Sequence, residues 1–175
     1  GFGYSSPSWN PAGDEYTFVS DDISGGYGLF ASRPSGEARV LVESVPPSTA
    51  FLWSPDGRSL AVTRSDRVLV APQLGLSVYT RISLYGLDGS THPVDIEGNV
   101  IAFFWSPDST KLVYVTLAET AGVLRWKIFS VRDGSSWVLT EFIPSFDQLT
   151  VFRYFDQYAH SPPLWSPDST SLVFA

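Results

Sequence analysis

One five-residue phrase recurs four times in this chain: Trp9-Asn-Pro-Ala-Gly13, Trp53-Ser-Pro-Asp-Gly57, Trp105-Ser-Pro-Asp-Ser109 and Trp165-Ser-Pro-Asp-Ser169. In every copy an apolar residue stands seven positions after the tryptophan: Tyr16, Leu60, Leu112 and Leu172. Alternating strand sequence then begins, as in Leu60-Ala-Val62 and Leu112-Val-Tyr114. The phrase is a strand ending in a large ring, a tight turn and a strand starting. Proline presets φ for the second position of a type I turn, and Asp bonds back to nearby backbone N–H groups. Gly13 and Gly57 suit the left-handed position that closes such a hairpin. Ser109 and Ser169 stand where that glycine would be, so those two turns are expected to be strained or slightly different in geometry.

A second repeat lies between the copies of the first. Phe30–Gly36, Leu84–Gly89 and Ile128–Gly134 each end a strand in a glycine turn. Short strands follow at Ala38–Glu43, Thr91–Ile96 and Ser136–Phe142. The unit is therefore a four-stranded antiparallel meander of about 50 residues, and no helical periodicity is evident along the chain. The predicted fold class is all-β: a β-propeller segment of about three to four four-stranded antiparallel blades. Residues 1–175 are read as one partial propeller. Its blade repeats run around 9–53, 53–105 and 105–165, with incomplete strands at both ends. Propellers close with at least about four blades, so the segment is expected to belong to a larger propeller or to pair with another copy. Open blade faces would then support a homo-oligomer.

Composition removes several classes. Net charge is −7, and 11 Lys and Arg residues are dispersed among 18 acidic ones, so nucleic acid and anionic membrane surfaces are not expected as partners. There is no cysteine for a disulfide or a thiolate metal site. No run of about 18 apolar residues exists, so membrane insertion by a helix is not expected.

The Trp-Ser-Pro-Asp-Gly phrase with its following apolar strand resembles the WD-like repeat of TolB-type propellers. The same repeat occurs in the propeller domains that cover the catalytic domains of prolyl oligopeptidase and dipeptidyl peptidase. The resemblance spans nearly the whole chain. It implies a non-catalytic module that binds protein partners, within a larger extracytoplasmic protein, periplasmic or at the cell surface. Two alternatives stand beside it: the non-catalytic propeller of a prolyl-oligopeptidase-type serine peptidase, and a small-molecule or sugar sensor.

No enzyme chemistry is expected from the chain itself. It contains neither G-x-S-x-G nor H-E-x-x-H, and its only histidines are His92 and His160. Asp14, Asp21 and Asp22 lack the spacing of a calcium loop, so no metal site and no cofactor are expected. Trp126 and Trp137 are read as packing between blades.

Binding residues are sought where the repeats grow. Tryptophan spacings are 44, 52 and 60 residues. The second blade gains residues between its second and third strands, around Arg67 to Ser77. The third gains them between its last strand and the next blade, around Pro144 to Tyr158. In an up-and-down meander both insertions fall at the same end, where binding loops usually sit. The candidate binding residues are Arg153, Tyr154, Phe155, Asp156, Gln157, Tyr158 and His160 in the aromatic insertion, with Leu69 and Leu74 in the apolar one. Aromatic and Arg side chains together are enriched at protein interfaces. The competing expectation is that these aromatics cover the end of the third blade, and that the apolar insertion extends its own strand.

Overall fold

The computed structural model describes residues 7–21, 25–46, 48–65, 69–71, 74–86, 93–159 and 164–174, the side chains of Leu69 and Val70 excepted. Four strands, β1 (Ser8–Trp9), β2 (Tyr16–Asp21), β3 (Tyr27–Ser32) and β4 (Arg39–Val42), form one antiparallel sheet in chain order. The second sheet holds β5 (Phe51–Trp53), β6 (Ser59–Arg64), β8 (Leu76–Gly86), β9 (Val94–Trp105), β10 (Lys111–Leu117), β11 (Leu124–Ser130) and β12 (Ser136–Phe142). The short β7 (Leu69–Ala71) pairs only with β8.

This second sheet is two blades joined through one strand. Val94–Glu97 of β9 pair with β8, Val100 pairs with both β8 and β10, and the strand's last residues to Trp105 pair with β10. The sequence placed a loop between these halves, but the backbone runs through without a break. Gly98 sits at the handover with φ +148°, a conformation that side-chain-bearing residues rarely adopt.

Three of the four recurrent turns share one full hydrogen-bond pattern; in the first, Ala12 replaces the aspartate and Asn10 bonds to Asp14 instead. In the second copy Gly57 N donates to Ser54 O, and Ser54 Oγ donates to Asp56 Oδ1 at 2.6 Å. Asp56 Oδ1 also accepts from Arg58 N, and Ser54 Oγ accepts from Ser59 N. Ser106–Asp108 and Ser166–Asp168 repeat the arrangement. Ser109 and Ser169 take the same left-handed conformation as Gly57, with φ of +61° and +59° against +70°. Of the two expectations for these serines, the strained one holds.

Alternation of side chains puts each blade's two faces against different neighbours. Phe51, Trp53, Leu60 and Val62 join Leu29 and Val42 of the first blade in one buried cluster. Leu52 and Ala61, on the other face, join the third blade in a larger cluster around Phe103, Tyr114 and Trp126. The core therefore consists of the inter-blade spaces. Trp53, Trp105 and Trp165 are buried within them, whereas Trp9 is 54% exposed. Trp126 packs between blades as expected, but Trp137, on the edge strand β12, is 41% exposed.

Two short helices contradict the expectation of no helix: α1 (Phe146–Arg153) and α2 (Phe155–Tyr158). A capping box starts α1: Ser145 Oγ accepts from Gln148 N, and Gln148 Oε1 accepts from Ser145 N.

Candidate functional site

Both insertions carry regular structure. The one in the second blade is the β7–β8 hairpin, closed by Gly75 at φ +62°. The one after the third blade is α1–α2. They meet: Arg153 Nε donates to Gly75 O at 3.1 Å. The structure thus brings a loop of one blade and the exit of the next to a shared surface.

Burial divides the predicted residues. Phe152 and Phe155 are 4% and 2% exposed. Phe152 packs edge-on to Trp126 with ring centroids 5.6 Å apart, and Phe155 lies 5.0 Å from Phe103. Phe155 therefore corrects the expectation of a contact residue: its ring is part of the core and faces no solvent. Leu74 packs against the same core, and Ala71 and Leu76 are buried, so these described residues of the apolar insertion pack on their own blade. Arg153, Tyr154, Gln157 and Tyr158 are exposed, and Asp156 is half-buried. His160, His92 and the side chain of Leu69 lie outside the described residues.

Beneath the insertions lies Tyr79, 8% exposed, whose hydroxyl donates to Ser48 O at 2.9 Å. Burial, reinforced by the neighbouring charge of Asp156, pushes its phenol up to about 12. This tyrosine stays neutral and structural at ordinary pH.

At the opposite end of the first blade is an open cleft of about 460 Å³, lined by Asn10, Asp14, Glu15, Arg33 and Arg39 among others. Its arginines are already paired: Arg39 with Glu15 at 2.8 Å and Arg33 with Asp14 at 4.0 Å. Among the described residues no group of three or more His, Asp or Glu side chains could hold a metal ion.

Four-stranded antiparallel blades that bury their motif tryptophans against the preceding blade define a β-propeller, here an open segment of one. No family model matches the chain. The chain is 28% identical over 170 residues to the uncharacterized peptidase YuxL of Bacillus subtilis (strain 168), a match covering 97% of this chain and 21% of that protein. TolB from Acinetobacter baumannii shares the fold with a TM-score of 0.56 and 20% identity, over 79% of this chain and 33% of that one. The β-propeller domain of the Trilobed protease from Pyrococcus furiosus gives 0.53 and 21%, over 82% and 43%. The chain thus spans about a fifth of the curated relative and less than half of either solved propeller.

Proposed function

We infer that this chain is part of the propeller of a serine-type peptidase, supplying no catalytic residue and shaping access to a hydrolase domain elsewhere in the protein. The observation that carries this is the match of 97% of the chain to a fifth of a peptidase. The meeting of the two insertions at one end of the blades supports it, because loops held by a rigid scaffold are where propellers make their contacts. The test is to treat the full-length protein with a fluorophosphonate and map the modified serine by mass spectrometry. Labelling at a serine outside residues 1–175 is the expected result. A full-length protein that neither labels nor cleaves peptides sinks this reading, as does a label within the 175 residues.

The second reading is a TolB-like, extracytoplasmic module that binds protein partners, and the shared fold with TolB favours it. Here Arg153, Tyr154 and Tyr158 are the contact side chains, exposed around the buried Phe155. Replacing both tyrosines by serine would abolish partner capture while leaving the fold intact. Unchanged capture by that double variant would remove the assignment.

A further inference from the structure

The junctions between successive blades are not tied alike. Between the second and third blades β9 runs through both, Asp56 N donates to Ser109 Oγ at 3.0 Å, and Trp105 Nε1 donates to Leu52 O at 3.2 Å. Beyond the third blade Asp108 N donates to Ser169 Oγ at 3.0 Å, and Lys111 Nζ donates to Ser169 O at 3.3 Å. At the junction of the first and second blades these ties are missing. The position of the serine is held by Gly57, which has no hydroxyl. Trp53 Nε1 is buried and finds no hydrogen-bond partner among the described residues. No strand is shared, because β1–β4 form a sheet of their own.

What holds this junction is apolar packing, with Leu29 and Val42 of the first blade against Trp53, Leu60 and Val62 of the second. The chain crosses it between β4 and β5, through Ser44, a non-glycine residue in the left-handed region at φ +53°. Arg64 Nη1 donates to Glu43 O at 3.4 Å, and Tyr79 OH donates to Ser48 O at 2.9 Å. Both bonds end on the backbone of that connection and not on a strand of the first blade. Thr17 adds a second orphan. It stands where the next two copies have Ala61 and Val113, and its register with Ala31 puts it on the Leu29 face. Its hydroxyl is buried and has no partner among the described residues. Two buried polar groups without partners raise the free energy of the closed junction, and water satisfies both once it opens.

We propose that the seam between the first and second blades is a hinge built into the chain. The first blade swings as a body about Ser44 with its own strand ladder intact, while the second and third blades move together. Packing without directional bonds can slide and re-form, and a few positions in a connection absorb the change. The swing bares Thr17 and Trp53 to water and leaves the contacts between the second and third blades as they are. The hinge rests on neither reading of the function.

The 175 residues contain no cysteine, so a single introduced thiol reports the opening. Thr17→Cys and Ala61→Cys place it at matched positions, both 0% exposed, one in each junction. In the full-length protein, thiol modification read by peptide mass spectrometry should be at least about tenfold faster at position 17 than at position 61. After correction for intrinsic rates it should also outrun exchange of the β2 amides, because the ladder stays closed while the blade swings. Gly57→Ser supplies the missing hydroxyl. Gly57 already has nearly the φ of Ser109, and an added Cβ would lie 3.5 Å from Pro11, an ordinary contact. With Ala12 N as the donor, this change should slow modification at position 17 about fivefold, the worth of one net hydrogen bond. The strain of a left-handed serine is present in the open and closed seam alike and cancels. Equal rates at the two positions overturn the hinge, as does a Gly57→Ser variant that opens as fast as the parent. Modification that only keeps pace with amide exchange overturns it in favour of unfolding of the first blade.

Discussion

Ser109 and Ser169 show why a strained residue can persist in a repeat. A non-glycine residue in the left-handed region costs roughly 1–2 kcal/mol. Here each hydroxyl accepts a backbone N–H from the preceding copy of the turn: Asp56 N to Ser109 Oγ, and Asp108 N to Ser169 Oγ, both at 3.0 Å. The serine is thus a staple between blades, and a net hydrogen bond of about 1 kcal/mol largely offsets the strain. Ser109→Ala keeps the strain and loses the bond, so urea unfolding should show a loss of about 1 kcal/mol, whereas Ser109→Gly should be near neutral. An alanine variant as stable as the parent would remove the staple from the account. The aspartates of these turns carry a second consequence. Burial pushes Asp108 upward, but hydrogen bonds from Ser106 and Thr110, with the Lys111 charge, outweigh it and hold the carboxyl at about 2. Hydrogen bonds to Ser166 and Thr170 lower Asp168 as well. A depressed folded value stabilises the protein above the unfolded value near 3.9, and that contribution is lost as pH falls toward 2. Denaturation midpoints should therefore fall between about pH 4 and pH 2, and Asp108→Asn should flatten that decline. An unchanged slope in the variant would show that Asp108 does not contribute.

At the scale of elements, the insertion after the third blade is a strap over the core. Phe152 and Phe155 anchor it against Trp126, Phe142, Phe103 and Phe104, and Arg153 ties it to the β7–β8 turn. Truncating a well-buried phenylalanine costs about 3–5 kcal/mol, so Phe155→Ala should approach that loss in urea unfolding. Arg153→Ala, losing one exposed hydrogen bond, should cost less than about 1 kcal/mol. A Phe155 variant that unfolds like the parent would detach the strap from the core. These elements also mark where the sequence was readable. The turns were legible because Pro, Asp and Gly each act within a few residues, and Ser136–Phe142 was placed as a strand where β12 lies. The helix α1 was not legible, although Ser145 and Gln148 stand at capping-box spacing, because eight residues are too few for a clear period. Burial of Phe155 was equally hidden, since aromatic residues with Arg compose interfaces and cores alike. The continuity of β9 depends on two different partners for its two halves, and that is a property of the sheet rather than of local residues.

For the whole molecule, the unequal size of the two buried clusters sets the order of opening. Repeat architectures approximate a sum of unit stabilities and nearest-neighbour interfaces. The second and third blades share β9, a large common core and the α1–α2 strap, whereas the first blade is held mainly through the smaller cluster of Leu29, Val42, Phe51, Trp53, Leu60 and Val62. Its other face is only partly buried, with Trp9 54% and Val40 50% exposed. Regions with few buried contacts open at free energies well below that of global unfolding. Amides of β2 and β3 should therefore exchange at least about tenfold faster than those of β9 to β11 in the 175-residue chain, although both sets lie in hydrogen-bonded ladders. Equal protection across both sheets would mean that the three blades open as one unit.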